Sequence, residues 1–197
     1  SATIQPADVF DEQASMGSCS AVTPISVSPD TFNCGDIGPN VVVLEAEDAN
    51  SNTSTCTATV TVADTIAPVV ACLDVELFLD ANGQAVLSPA AVLDTAASSD
   101  NCSTVSPLSV SPDTFDCSNI GPNTVVLVAE DAENNTGSCT ATVTLSDTLP
   151  PSVVCLDVDL YLDANGQAIL DPVAVLDTAA SSDNCGVVNA ISVEPDT

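Results

Sequence analysis

The sequence contains no lysine, arginine or histidine, so its side chains carry no positive charge. Its 28 Asp and Glu residues give a formal net charge of −28. Nucleic-acid binding is excluded, because phosphates are neutralised by Lys and Arg, and an anionic membrane surface would repel the chain. With no side-chain ion pairs available, bound cations are expected to relieve the carboxylate repulsion. Ca²⁺ is the leading candidate because it prefers carboxylate and amide oxygens.

Despite this charge, the chain is not expected to be disordered. Hydrophobic residues make up 45% of the sequence, and the mean hydropathy is +0.35. Disorder requires low hydrophobicity, so we expect the chain to bury cores.

Nine cysteines indicate disulfides. Zinc is disfavoured because the chain has no histidine and no C-x-x-C pair. Disulfides predict an oxidising, extracellular or cell-surface location. No signal peptide or long apolar run is present.

A repeat of 83 residues runs through the chain. Residues 26–100 match residues 109–183 at 55 of 75 positions without a gap. Ser1–Pro24 aligns with Gln84–Pro107 in the same register, so the chain holds about 2.4 periods and is expected to come from a longer array. The cysteines follow the period: Cys19 recurs as Cys102 and Cys185, Cys34 as Cys117, Cys56 as Cys139, and Cys72 as Cys155.

The repeats are expected to be separate domains joined by a proline-containing linker. Asp64-Thr-Ile-Ala-Pro68 recurs as Asp147-Thr-Leu-Pro-Pro151, and proline disfavours helix and removes a sheet donor. This predicts an incomplete repeat over 1–64, a complete one over 65–147 and a second incomplete one over 148–197.

Within each repeat, alternation of apolar and polar residues predicts short strands. Four segments carry the pattern: Leu108–Val110, Thr124–Ala129, Cys139–Leu145 and Leu156–Leu162. Asn82-Gly83 and Asn165-Gly166 predict hairpin turns. A helical turn capped by Ser88 is expected over Pro89–Leu93, with a copy beginning at Asp171-Pro172. Seven or so strands per repeat predict an all-β fold of tandem immunoglobulin-like β-sandwich repeats, arranged like beads on a string.

The unit resembles the hyalin-repeat (HYR) type of immunoglobulin-like domain and related tandem repeats of bacterial surface proteins. The resemblance covers the whole chain and implies an extracellular adhesive or structural role without catalytic activity. The first repeat departs from the pattern, with Gly17-Ser18 where the second has Asp100-Asn101. The residues that carry the resemblance are Asp64-Thr-x-x-Pro68, Cys72, Asp100-Asn-Cys102, Gly121-Pro-Asn-Thr-Val125 and Glu130 to Cys139.

The cysteines are expected to pair within each repeat. The first and last strands of an immunoglobulin-like sandwich lie side by side, which predicts Cys72–Cys139. Cys102 and Cys117 flank a strand pair and are expected to bond, as is Cys19–Cys34 one repeat earlier. Cys56, Cys155 and Cys185 are then left without partners in this sequence. The alternative is a pairing across the linkers, Cys56–Cys72 and Cys139–Cys155. An extended linker would hold those cysteines roughly 50 Å apart, against the 7 Å that a disulfide allows.

The loops before the last strands have calcium-loop spacing. Asp48, Asn50 and Asn52 alternate in the first repeat, as do Asp131, Glu133 and Asn135 in the second. The linker and the Asp100 loop are expected at the same pole, giving one site from Asp64, Asp100, Asn101, Asp131, Glu133 and Asn135. The next junction would use Asp147, Asp183 and Asn184. The alternative is that these residues only make Asx turns.

We expect no enzyme, because no nucleophile–base pair is available without His or Lys and no cleft-forming insertion appears. We expect a calcium-stiffened structural segment of a stalk or fibre, whose partners are neighbouring repeats. Exposed edge strands could also join chains into fibres. The alternative is an adhesin module for a protein or glycan ligand, which the low aromatic content of 3% disfavours.

Overall fold

The structure, a computed structural model, describes residues 1–15 and 21–194. Its regular structure is almost entirely β-strand, in several sheets, and three disulfides cross-link it. The chain divides into two compact units. One comprises Ser1–Pro68, Ser99–Thr104 and Asp131–Asn135, and the other comprises Val69–Ser98, Val105–Glu130 and Thr136–Thr197. The repeat boundaries expected from the 83-residue period stay predictions.

The first unit is built on a three-stranded antiparallel sheet. Its strand order is β2–β4–β5, and β1 pairs with β3 in a separate two-stranded sheet. Val27, Phe32, Val42 and Leu44 form the buried core. The strands are β1 (Ala2–Thr3), β2 (Val22–Ser28), β3 (Thr31–Phe32), β4 (Gly38–Asp48) and β5 (Thr53–Val62), with 3₁₀ turns at Pro6–Val9 and Cys34–Asp36.

The second unit contains a four-stranded sheet and a two-stranded sheet. The larger has the order β6–β11–β10–β8, with β6 parallel to β11 and the other neighbours antiparallel. The smaller pairs β7 with β9. The elements are β6 (Val75–Phe78), β7 (Gln84–Val86), α1 (Pro89–Val92), β8 (Ser106–Ser111), β9 (Thr114–Asp116), β10 (Gly121–Glu130) and β11 (Thr136–Ser146), with 3₁₀ turns at Cys117–Asn119 and Pro172–Val175.

A two-layer core explains why these strands alternate in sequence. Every second residue of β10 points inward, so Val125, Leu127 and Ala129 are fully buried. They pack in one cluster with Phe115 of β9 and Val92 of α1. Each fully buried Leu or Val contributes about 1.5–3 kcal/mol. The second unit is therefore a β-sandwich closed by the small sheet and the helical turn.

Most of the expected elements form, and two do not form as expected. Leu108–Val110, Thr124–Ala129 and Cys139–Leu145 lie in β8, β10 and β11, and Ser88 precedes α1. The Asn82-Gly83 segment turns, but its flanking strands β6 and β7 pair with different sheets and make no hairpin. Leu156–Leu162 is not a strand. Its counterpart β6 is held by β11, and the residues 83 positions beyond β11 lie past residue 197.

The disulfides are Cys34–Cys102, Cys72–Cys139 and Cys117–Cys185. The expected Cys72–Cys139 bridge is confirmed. The expected Cys102–Cys117 and Cys19–Cys34 bridges are wrong, since Cys34 and Cys102 bond each other, and so is the expectation that Cys185 is unpaired. The cross-linker alternative is also wrong, since Cys72 and Cys139 bond each other. Cys56 and Cys155 are free within the described chain, as expected; Cys19 lies outside the described residues.

The wrong pairing has a geometric cause. Cys102 lies four residues before β8, whose Ser106 is opposite Glu130 at the end of β10. Cys117 lies four residues before Gly121, at the start of β10. A strand of ten residues separates these ends by about 30 Å, so Cys102 and Cys117 cannot meet. No helix in the described chain is long and apolar enough to cross a membrane.

Candidate metal centre

The loop between β10 and β11 is organised around the Asp131 carboxylate. Its Oδ1 accepts hydrogen bonds from the backbone N–H groups of Glu133 and Asn135, at 2.9 and 2.8 Å, and its Oδ2 accepts one from the Asn135 side chain at 2.7 Å. Asn134 takes a positive φ of 68°, which asparagine tolerates better than most residues. The turn directs Glu133 and Asn135 to the same side as Asp131, which is only 5% exposed.

Asp64, in the linker after β5, is hydrogen-bonded to both neighbouring loops. Its backbone carbonyl accepts a hydrogen bond from the Asn135 side chain at 3.2 Å, and its Oδ1 accepts one from the Asn101 side chain at 3.2 Å. Asn101 and Asn135 lie 37 and 71 residues further along the chain. The linker residue is therefore the point at which the three segments meet.

The Asp100 loop completes the arrangement. Asp100 Oδ2 accepts hydrogen bonds from the backbone N–H groups of Cys102 and Ser103, and these bonds, the one from Cys102 foremost, lower the pKa of Asp100. The Ser103 hydroxyl accepts a hydrogen bond from the Ala132 N–H at 3.0 Å, which ties this loop to the Asp131 turn. Sequence reasoning did not single out Ser103, because a lone serine in a loop has no distinctive spacing.

Three carboxylates converge in this region. Oxygens of Asp64, Asp131 and Glu133 all lie within 4.8 Å of one another. Two unit charges at that distance repel by about 3.5 kcal/mol at an effective dielectric constant of about 20. No lysine, arginine or histidine exists in the chain to offset this repulsion. The cluster thus requires either an external cation or protonation.

Three oxygens at the cluster are buried and have no hydrogen-bond partner among the described residues. They are Asp64 Oδ2, Asp100 Oδ1 and Glu133 Oε2. A buried acceptor left without a partner costs about 1–3 kcal/mol or more when charged, so such atoms are rare unless something binds them. The donor set is all oxygen, which suits a hard divalent ion and offers nothing to a soft one. These residues fit Ca²⁺.

The Cys34–Cys102 disulfide holds one side of this centre. Cys102 follows Asn101 directly, and Cys34 Sγ lies 3.4 Å from the Asn101 carbonyl oxygen. The Asn101 side chain also lies 3.2 Å from Cys102 Sγ. The bridge fixes the loop that presents Asp100 and Asn101 to Asp64. The sequence contained a usable signal: Cys102 adjoins the loop expected at the linker, whereas Cys117 does not.

Asp147, Asp183 and Asn184, expected at the next junction, repeat part of this geometry. The Asn184 side chain donates hydrogen bonds to Asp147 Oδ1 at 3.0 Å and to the Asp80 carbonyl at 3.2 Å. Asp183 Oδ2 accepts one from the Cys185 N–H at 3.0 Å, and Asn184 Oδ1 is buried without a partner among the described residues. The counterparts of Asp131 and Glu133 would be residues 214 and 216, beyond this sequence.

Asp48, Asn50 and Asn52 form the same turn without the cluster. Asp48 accepts hydrogen bonds from the Asn50 and Asn52 N–H groups and from the Asn52 side chain. The bond from the Asn52 side chain is the main cause of the lowered pKa of Asp48. The three residues are exposed or half-buried, and within the described ranges no group of three convergent acidic residues includes Asp48. Here the Asx-turn interpretation is sufficient by itself.

Gly83 is a further residue whose importance the spacing did not reveal. It has a φ of +72°, and a Cβ placed on it would lie 2.7 Å from both the Asn184 carbonyl oxygen and Cys117 Sγ. Only glycine suits both the backbone and the space. The turn is braced by Asp80, whose carboxylate accepts N–H bonds from Gln84 and Asn82, and the bond from Gln84 is the main cause of its lowered pKa.

Comparison with known proteins adds little. No family model and no curated protein matches the chain. Among solved structures, the chain is similar to one described as PcdhgB3 EC1-4 in 50 mM HEPES, with a TM-score of 0.30 and 13% sequence identity. That match covers 76% of this chain and 44% of the other, so this chain spans less than half the length of that structure. A similarity this weak carries no inference about function.

Proposed function

We propose that this chain is a non-enzymatic, extracellular structural segment of a stalk or fibre, and that calcium bound at the Asp64–Asp131–Glu133 centre stiffens its linker. The observation that carries the proposal is the set of three buried, unpartnered carboxylate oxygens beside a linker residue. A divalent ion would pair with these oxygens and neutralise charges that the chain itself cannot neutralise.

The elements that contribute to the centre explain why its effect would be mechanical. Asp64 belongs to the segment between two repeats, while Asp100 and Asp131 belong to loops of the second repeat. An ion that takes oxygens from all three restricts the backbone torsions of the linker. The hydrogen bonds from Asn101 and Asn135 to Asp64 already hold the linker in place. Calcium binding would add to that restraint.

Three further observations support an extracellular structural role. The three disulfides require an oxidising compartment. The near-identity of the repeats suits a spacer, because a ligand-binding surface needs only one copy. The convergent acids make backbone and amide hydrogen bonds in turns and include no general base paired with a nucleophile. The partners we propose are neighbouring repeats of the same protein.

Calorimetric titration with calcium tests the proposal. We expect about one strong site per chain, because only one cluster in the described residues has three converging carboxylates. Ion at 100 times its dissociation constant would raise the free energy of unfolding by about 2.7 kcal/mol. Glu133→Gln removes one charged ligand whose Oε2 makes no hydrogen bond, and should weaken binding tenfold or more, which corresponds to about 1.4 kcal/mol.

The matched control is Glu76→Gln, which removes the same charge from an exposed position on β6. It should leave affinity and stoichiometry almost unchanged. The proposal is wrong if no heat appears at millimolar calcium, or if the two variants lose affinity equally, since the second result would show a diffuse ion atmosphere instead of a site.

A further inference from the structure

Strand β5 has an open edge in the first unit. The sheet order there is β2–β4–β5, and within the described residues no strand pairs with the outer edge of β5. Strand β11, its counterpart 83 residues later, carries β6 on the same edge in parallel register. The second unit therefore shows what the first unit lacks.

The missing strand leaves apolar side chains of β5 uncovered. In β11, Ala141, Val143 and Leu145 are 6%, 0% and 1% exposed. Their counterparts in β5 are Ala58, Val60 and Val62, and all three are only half-buried. The two strands share the same alternation, so the difference lies in what covers them and not in their own sequence.

The two free cysteines of the described chain lie on the two halves of this missing contact. In the second unit, Cys72 precedes β6 and bonds Cys139 of β11, with Cα atoms 5.8 Å apart. Cys56 occupies the position of Cys139, and Cys155 occupies the position of Cys72. Both are exposed.

The segment after Cys155 has the composition of β6 but not its structure. Residues 156–162 form no strand, and Leu160 and Leu162 are 51% and 70% exposed. Their counterparts behave differently: Leu77 is partly buried against the core, and Leu79 is 4% exposed. An apolar strand segment and an apolar strand edge are thus both uncovered in the same chain.

We propose that the open edge of β5 in one copy of this chain binds residues 155–162 of a second copy in the manner of β6, and that Cys56 and Cys155 then form an intermolecular disulfide. This inference deepens the proposed structural role and rests on it, because it specifies how copies join into a fibre. The parallel register follows from β6–β11: it places Val158 opposite Val60, Asp159 opposite Thr61, Leu160 opposite Val62, and Tyr161 opposite Ala63.

The bond requires an oxidant, which we take to be a low-molecular-weight disulfide such as oxidised glutathione. The Cys56 thiolate attacks it and releases one glutathione thiol; the Cys155 thiolate then attacks the mixed disulfide and releases the second. Two protein thiols become one disulfide while one glutathione disulfide becomes two thiols. Docking beforehand raises the local concentration of the second thiol, which favours this pair over a random one.

Two single-cysteine variants of the full chain test the inference. Cys155→Ser retains only the acceptor cysteine and Cys56→Ser only the donor cysteine of this pair. Mixed in a glutathione redox buffer, they should give a covalent heterodimer of about twice the 19.7 kDa chain mass, with peptic mass mapping showing Cys56 bonded to Cys155. Salt at about 0.15 M screens the repulsion between two chains of charge −28.

The control donor is Cys56→Ser combined with Val158→Asp and Leu160→Asp. Both side chains are exposed, so the variant should keep its fold and its Cys155 thiol while losing the docking face, and its cross-linking should fall at least tenfold. Equal cross-linking by both donors, mapping to other cysteines, or a Cys56–Cys155 bond within monomeric wild-type chain would each overturn the inference. The experiment is run in EDTA, so its failure is distinct from a failure of the calcium titration.

Discussion

Replacing both Cys72 and Cys139 with serine should destabilise the second unit by an amount that follows from loop length. The bridge spans 67 residues. In the chain-entropy model a loop of that length restricts the unfolded state by about 4.4 kcal/mol at 25 °C. Since small domains have total stabilities of about 5–15 kcal/mol, the variant should fold but remain close to its limit.

Urea unfolding followed by far-ultraviolet circular dichroism is the suitable assay. The chain has no tryptophan, and Tyr161, its single tyrosine, is 83% exposed and so is a poor fluorescent reporter of folding. With a urea dependence of about 1–3 kcal/mol per molar, the midpoint should fall by about 1.5–4 M. Peptic hydrogen-exchange peptides from β11 would assign the change to the second unit.

The control replaces Cys56 and Cys155, which are exposed and unbonded in the described chain. Such surface changes usually alter stability by no more than about 0.5 kcal/mol. If the Cys72/Cys139 variant kept a native spectrum and shifted its midpoint no more than this control, the reasoning from loop length would be refuted.

Two further predictions concern the turn at residues 80–84. Gly83→Ala should lower the melting temperature well beyond Gly166→Ala, since both have positive φ but a Cβ meets other atoms within 4 Å only at Gly83; equal shifts would contradict the close packing. Asp80→Asn should destabilise the chain at pH 7. The native pKa of Asp80 lies below its ordinary value of 3.8, so the carboxylate stabilises above that pH and its contribution is lost as pH falls below it. Melting curves at pH 7 and pH 2.5 should show the difference from wild type disappear, and a constant difference would contradict this.

The fold was largely predictable because its signals are local. The alternation of apolar residues in Thr124–Ala129 and Cys139–Leu145 appears directly in β10 and β11, and Ser88-Pro89 marks the helical turn. Leu156–Leu162 failed as a prediction for a non-local reason. Its alternation is as good as that of β6, but a strand exists only when another strand supplies its hydrogen bonds.

The candidate site was predictable in its members, and the disulfide beside it was not. Alternating acids before the last strand and a linker aspartate point to one pole of a sandwich, and the structure brings Asp64, Asp100, Asn101, Asp131, Glu133 and Asn135 together there. The pairing of Cys34 with Cys102 spans 68 residues. Counting the 15 residues from Cys102 to Cys117 suggested proximity, but β8 and β9 carry the chain from one end of the sandwich to the other.

The three disulfides overlap along the chain. The loops closed by Cys34–Cys102, Cys72–Cys139 and Cys117–Cys185 each begin before the previous one ends. A single peptide bond broken anywhere between Cys34 and Cys185 is therefore always spanned by at least one intact bridge. A protease nick or a snapped backbone in that range would leave one continuous covalent molecule, still able to carry tension from end to end.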